Sequence, residues 1–163
     1  MRRLWFVPIV MCLAVSVAGA QTKISGTIQC PKASVEHVIQ VGDKPGHAYA
    51  IEQGSCTWTK PMTIEGVQNK EGVTTQFNDV SGNKAKFHGQ FSDTMANGDK
   101  AQYTYSGTAT MKDGMIVSAD DKWSLVSGTG RLKGMKSHGT CTGKGGADGS
   151  VTWNCSGEYT AAK

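Results

Sequence analysis

The sequence predicts an all-β protein: a single antiparallel closed β-barrel of about eight strands, stapled by disulfides. Three observations predict it. Apolar and polar side chains alternate with period two over long stretches. The chain is rich in Gly, Thr and Ser and poor in leucine, with Leu125 and Leu132 alone after the first twenty residues; this disfavours long helices and favours strands and turns. Turn residues recur at short intervals, at Gly42-Asp43, Asn69 to Gly72, Ser81-Gly82-Asn83, Asn97-Gly98-Asp99 and Asp113-Gly114.

The alternation is clearest in AQYTYSGTATM, where Tyr103, Tyr105, Gly107, Ala109 and Met111 take one face and Gln102, Thr104, Ser106, Thr108 and Thr110 the other. SVTWNCSGEYT repeats it, with Val151, Trp153, Cys155, Gly157 and Tyr159 aligned. KISGTIQC does the same with Ile24, Gly26, Ile28 and Cys30. Further strands are expected at residues 47–58, 62–67, 72–80, 85–94, 115–126 and 137–143. The stretch 33–39 is expected to form a short helical turn. A barrel is favoured over a sandwich because Gly26, Gly54, Gly89, Gly107 and Gly157 fall inside strands, where glycine relieves bends and permits close backbone approach. Closure also removes exposed sheet edges.

Residues 1–20 have a different character. Arg2-Arg3, an apolar run from Leu4 to Val17 and the small-residue end Ala18-Gly19-Ala20 have the pattern of an export signal peptide. The run is too short for a retained spanning helix, and Cys12, followed by Leu13, lacks a lipid-attachment pattern. Cleavage after Ala20 leaves residues 21–163 as one barrel domain, exported to the periplasm or secreted, with no stable membrane insertion. The 17 basic residues less Arg2 and Arg3 leave 15 against 13 acidic ones. That near balance, with Arg131 as the single remaining arginine, argues against nucleic acid as a partner.

Four cysteines remain after the signal: Cys30, Cys56, Cys141 and Cys155. An even number in an exported chain implies disulfides, with three pairings to choose from. Cys30–Cys56 and Cys141–Cys155 are preferred. Cys141 and Cys155 lie symmetrically about Asp148, so a hairpin there sets them opposite each other. Zinc is disfavoured because no C-x-x-C spacing occurs, and no metal or other cofactor is expected.

Gly128, Gly130 and Gly134 raise the question of a phosphate-binding loop. Such a loop needs a helix behind it to supply anion-binding amides. RLKGMKSHGTCTGKGG places five glycines where that helix would run, so these glycines are read as a tight turn after a strand. SGTGRLKGMKSHGT instead resembles the G-[ST]-G-x-[FL]-x-G segment of the allene oxide cyclase-like barrel group, which includes plant dirigent proteins. Gly128, Thr129, Gly130, Leu132 and Gly134 match it, and the resemblance extends over residues 101–160. It implies an eight-stranded barrel in which this segment joins two late strands. It implies homo-oligomerisation as one option, since such barrels form dimers or trimers. No catalytic set carries over residue by residue, and the disulfides depart from plant cyclases.

Four carboxylates share a strand face with apolar neighbours: Glu52 with Ala48, Ala50 and Trp58; Asp79 with Phe77; Asp93 with Phe87 and Phe91; Asp121 with Val117, Ala119, Trp123 and Leu125. A carboxylate inside a barrel has a raised pKa unless paired, and such groups often mark sites. Asp79 and Asp93 sit beside turns and are read as turned outward. Glu52 and Asp121 lie deeper, and with Tyr103, Tyr105 and Trp123 they are the candidate ligand-binding residues. The plainer reading is a core packed with its own side chains. No two histidines have metal-binding spacing, His88 and His138 fall on polar faces, and no G-x-S-x-G pattern is present. The expected function is non-catalytic: binding a small hydrophobic ligand, or a role in the cell envelope. The alternative is an isomerase or cyclase acting on a hydrophobic substrate inside the barrel.

Overall fold

The computed structural model describes residues 21–162. The expected signal peptide, residues 1–20, lies outside the described residues. The strands are β1 (Thr22–Cys30), β2 (Val35–Gln40), β3 (His47–Lys60), β4 (Thr63–Ile64), β5 (Val67–Ser81), β6 (Lys84–Met95), β7 (Lys100–Lys112), β8 (Met115–Gly128), β9 (Lys136–Gly145) and β10 (Val151–Thr160). All pairings are antiparallel. The run β3-β1-β10-β9-β8-β7-β6-β5 is closed by a β3–β5 ladder, which makes an eight-stranded barrel. The pair β3–β5 holds from His47↔Ser81 to Thr57↔Glu71.

Two short expectations fail. Residues 33–39 are not helical: β2 runs antiparallel to β3, with Val35 opposite Gln53 and Gln40 opposite Ala48. Its β-branched Val35, Val38 and Ile39 suit a strand better than a helix. Residues 62–67 are not one strand either. Only Thr63–Ile64 pairs, and the chain turns at Glu65 (φ 49°) and Gly66 (φ 74°) before β5 begins.

Both disulfides form as preferred, Cys30–Cys56 and Cys141–Cys155. Cys141 and Cys155 lie directly opposite each other in the β9–β10 ladder. The other bridge sits where β1 ends. Pro31 follows Cys30, and proline cannot donate to a ladder. β10 stops pairing at Cys30↔Val151, and β2 continues along β3 without a second neighbour. The wall therefore opens at this end.

The opposite end is closed. Met62, Ile64, Val67, Met95, Leu132 and Met135 bury together there. The segment Gly128 to Gly134 supplies part of this plug. Gly130–Leu132 is a single 3-10 turn, and Leu132 is 1 % exposed. Gly130 has φ 52°, and an added Cβ there would collide with the Asp99 carboxylate, which accepts from the Arg131 backbone N–H at 3.1 Å. A Cβ at Gly128 would lie 2.6 Å from Leu132. The glycines are structural.

Strand glycines have a second use. Tyr105 lies opposite Gly89, Phe87 opposite Gly107, Trp123 opposite Gly139 and Trp153 opposite Gly143. In each pair an added Cβ would run into the ring: 2.8 Å from Trp153 at Gly143 and 2.6 Å from Phe87 at Gly107. The rings lie over the bare Cα atoms of the next strand, as aromatic side chains do when they cover glycine in sheets. Gly139→Ala is expected to destabilise the protein by about 2 kcal/mol, as overpacking does, because its Cβ meets the Ser156 carbonyl and the Trp123 ring. Removing Cys141–Cys155 as the C141A/C155A pair should cost about 2–4 kcal/mol. Urea unfolding checks both.

Candidate functional site

The barrel is not filled. A cavity of about 610 Å³ runs from the open end into the interior. Its mouth is formed by the Pro31–Ala33 break, the β7–β8 turn at Asp113-Gly114 and the β9–β10 turn at Ala147 to Gly149. The volume falls within the range of small-molecule sites.

Period two decides which side chains reach it. All five sequence candidates do: Glu52, Tyr103, Tyr105, Asp121 and Trp123 line the same cavity. β3 turns Ala48, Ala50, Glu52, Gly54, Cys56 and Trp58 to one side, and all but Glu52 and Trp58 are small. β8 presents Ala119, Asp121 and Trp123 inward. Val117 does not follow them. The β7–β8 register passes from Thr110↔Ser118 to Met111↔Ile116, so Val117 is a bulged extra residue, 48 % exposed.

β5 departs most from expectation. Its inward residues at the cavity are Thr74, Gln76, Asn78 and Val80, while Phe77 packs outside between Tyr49 and His88, with ring centroids 5.3 Å from each. Asp79 shares that outer face, and its carboxylate accepts from His47 Nε2 at 3.1 Å. One wall of the cavity is therefore polar. Disulfides and rings form much of the rest, including both cystines, Trp153 and Phe91.

The reading of Asp93 as an outward group is overturned. It is 0 % exposed. Asn69 Nδ2 donates to one carboxylate oxygen and Trp58 Nε1 donates to the other at 3.2 Å. A strand-end position did not turn it out, because the alternation of β6 runs unbroken through Met95. The sequence signal was present in its alignment with Phe87 and Phe91. Burial pushes its carboxyl up to about 7, against the opposing effect of Asn69, Trp58, Thr94 and Lys100.

Asp121 behaves alike for the same first reason. Burial raises it to about 7; the Cys141 N–H, donating at 3.2 Å, pulls it down and Asp120 pushes it further up. Glu52 is raised by burial and by Glu36, its cross-strand neighbour on β2, with Asn78 opposing. The Tyr105 hydroxyl donates to Gln76 Oε1 at 3.1 Å and hydrogen-bonds Thr74 Oγ1. Burial first, then Asp121 and Glu52 together, push it up to about 12, with Thr74 opposing. Both candidate carboxylates thus act on one hydroxyl inside the cavity. Tyr103 is raised chiefly by burial and meets the Trp123 ring edge-on, centroids 5.6 Å apart.

Trp123 Nε1 and Asn69 Oδ1 are buried without a hydrogen-bond partner among the described residues. Among those residues no group of three or more His, Cys, Asp and Glu could hold a metal, and no helix is long and apolar enough to cross a membrane. The fold and the cavity define a small disulfide-bonded β-barrel with an open, partly polar interior. No protein-family model matches the chain, and no curated protein matches it.

Asp93 and Asp121 make the stability depend on pH. An unfolded aspartate ionises near its ordinary 3.8, whereas the folded Asp93 and Asp121 hold their protons to about 7. Between those values the folded state binds more protons, so stability falls as pH rises. The protein without ligand should lose about 1–3 kcal/mol from pH 4 to pH 8. D121N should remove part of that slope. Urea unfolding across pH measures it, and a stability that rises over this window would contradict the burial of both groups.

Proposed function

We propose that this is an exported, non-catalytic barrel that binds a small hydrophobic ligand in its interior. The observation that supports it best is the cavity of about 610 Å³, walled by rings and cystines and open at one end. A packed core would leave no such space. The disulfides suit an oxidising compartment. The outward residues of β7, Gln102, Thr104, Ser106, Thr108 and Thr110, are polar throughout, the reverse of a lipid-facing strand, so the reading is of a barrel that stays in water and carries its ligand inside.

A second reading, an isomerase or cyclase on a hydrophobic substrate, has its own support. Asp121 holds its proton up to about 7 and lines the cavity beside Trp123. A carboxyl with that pKa is suited to general acid–base work near neutrality. The resemblance to allene oxide cyclase-like barrels points the same way.

Native mass spectrometry of the oxidised protein tests the proposal. A co-purified small molecule is expected, released by organic extraction. Ala109 is 4 % exposed and lines the cavity, so A109F should lower the bound fraction about tenfold or more by filling the space. Recovery of a chemically changed molecule after incubation would favour the enzyme; recovery unchanged favours the binder.

A further inference from the structure

Most polar groups that line the cavity hold one another. The Tyr105 hydroxyl donates to Gln76 Oε1 at 3.1 Å and bonds Thr74 Oγ1. Gln76 Nε2 donates to Asn78 Oδ1 at 2.7 Å, and Asn78 bonds Glu52. Trp58 Nε1 donates to Asp93 at 3.2 Å. The Tyr103 hydroxyl lies in hydrogen-bond contact with Asn69. Trp123 is different. It lines the same cavity and is 8 % exposed, yet its Nε1–H has no partner among the described residues. An indole N–H donates and cannot accept. A buried donor left unmade is costly, and native interiors seldom keep one. An acceptor atom of a bound molecule would satisfy it.

Charge narrows the class of that acceptor. The charged residues lining the cavity and its mouth are Lys32, Glu36, Glu52, Asp113, Asp121 and Asp148, with Lys32 the single base. An anionic oxygen would be repelled by this lining, the more so where the walls are of low dielectric. An ammonium head has no lone pair to offer the indole N–H. A neutral carbonyl oxygen meets both conditions, and it brings no donor that would itself need a partner on burial.

We infer that the ligand is a neutral apolar molecule whose carbonyl oxygen accepts a hydrogen bond from Trp123 Nε1 in the barrel interior. This rests on the ligand-binding reading above and gives it a chemical class. The apolar body of the molecule lies against Phe91, Trp153 and the two cystines, and its carbonyl lies at the depth of Trp123.

Two measurements on the oxidised protein at pH 7 test this. The first is fluorescence titration of wild type and W123F with 2-octanone and 1-octene. Trp58 and Trp153 also line the cavity and remain as reporters in W123F. W123F should weaken 2-octanone about fivefold or more relative to its effect on 1-octene, the size of one hydrogen bond. Loss of ring contact weakens both ligands alike, so the difference between them reads the N–H. The second is the infrared carbonyl stretch of bound 2-octanone, which should lie below its position in an alkane solvent and move back up in W123F. A wild-type stretch at the alkane position overturns the inference whether or not W123F folds. So does a folded W123F that affects both ligands equally, and so does octylamine or octanoate binding more tightly than 2-octanone. Binding of 1-octene alone removes the carbonyl and leaves the hydrophobic site standing. Binding of no probe removes both readings.

Discussion

The interior depends on where the large rings lie. In a small closed barrel, side chains from every strand converge on one axis and usually fill it. Here Tyr105, Phe87, Trp123 and Trp153 each cover a glycine on the neighbouring strand. A ring laid on a bare Cα lies close to the wall and leaves the axis free. Ala48, Ala50, Ala85, Ala109 and Ala119 continue the thin lining toward the open end. The same pairs pin register, because a slip of one residue would send each ring outside.

The two ends then follow from local chemistry. Pro31 interrupts the ladder after Cys30, and the chain resumes on β3 as an edge strand with no partner on its far side. At the other end Leu132, Met95 and Ile64 close the axis. The result is a pocket with one entrance. Carboxylates inside it are poorly hydrated, which favours their protonated forms. Asp93 has donors built in from Asn69 and Trp58, whereas Asp121 has one backbone N–H and faces the cavity. That difference separates a structural carboxyl from one available to a ligand.

Alternation was readable wherever the interior is apolar. Tyr103, Tyr105 and Trp123 could be assigned inward from spacing, Asp121 by its alignment with Trp123, and Glu52 by its alignment with Ala48, Ala50 and Trp58. It misled on β5, because the wall there is polar: Thr74, Gln76 and Asn78 face in while Phe77 packs against Tyr49 outside. Period two alone equates apolar with inside, and a cavity lined by hydrogen-bonding groups inverts that equation. Val117 failed for another reason. A bulge shifts phase by one residue, and nothing in MIVSAD announces it.

The order of residues by itself determined the eight barrel strands though not β2, the preferred cystine pairing and the five candidate side chains, since these rest on period two, on turn residues and on near neighbours along a hairpin. It could not determine that the axis would stay open. That depended on ring-to-glycine pairs between strands, such as Trp123 with Gly139, and on a wall closed by β3 against β5. Those contacts join residues whose proximity exists only once the sheet has closed, and only the closed sheet brings Glu52 and Asp121 into one cavity.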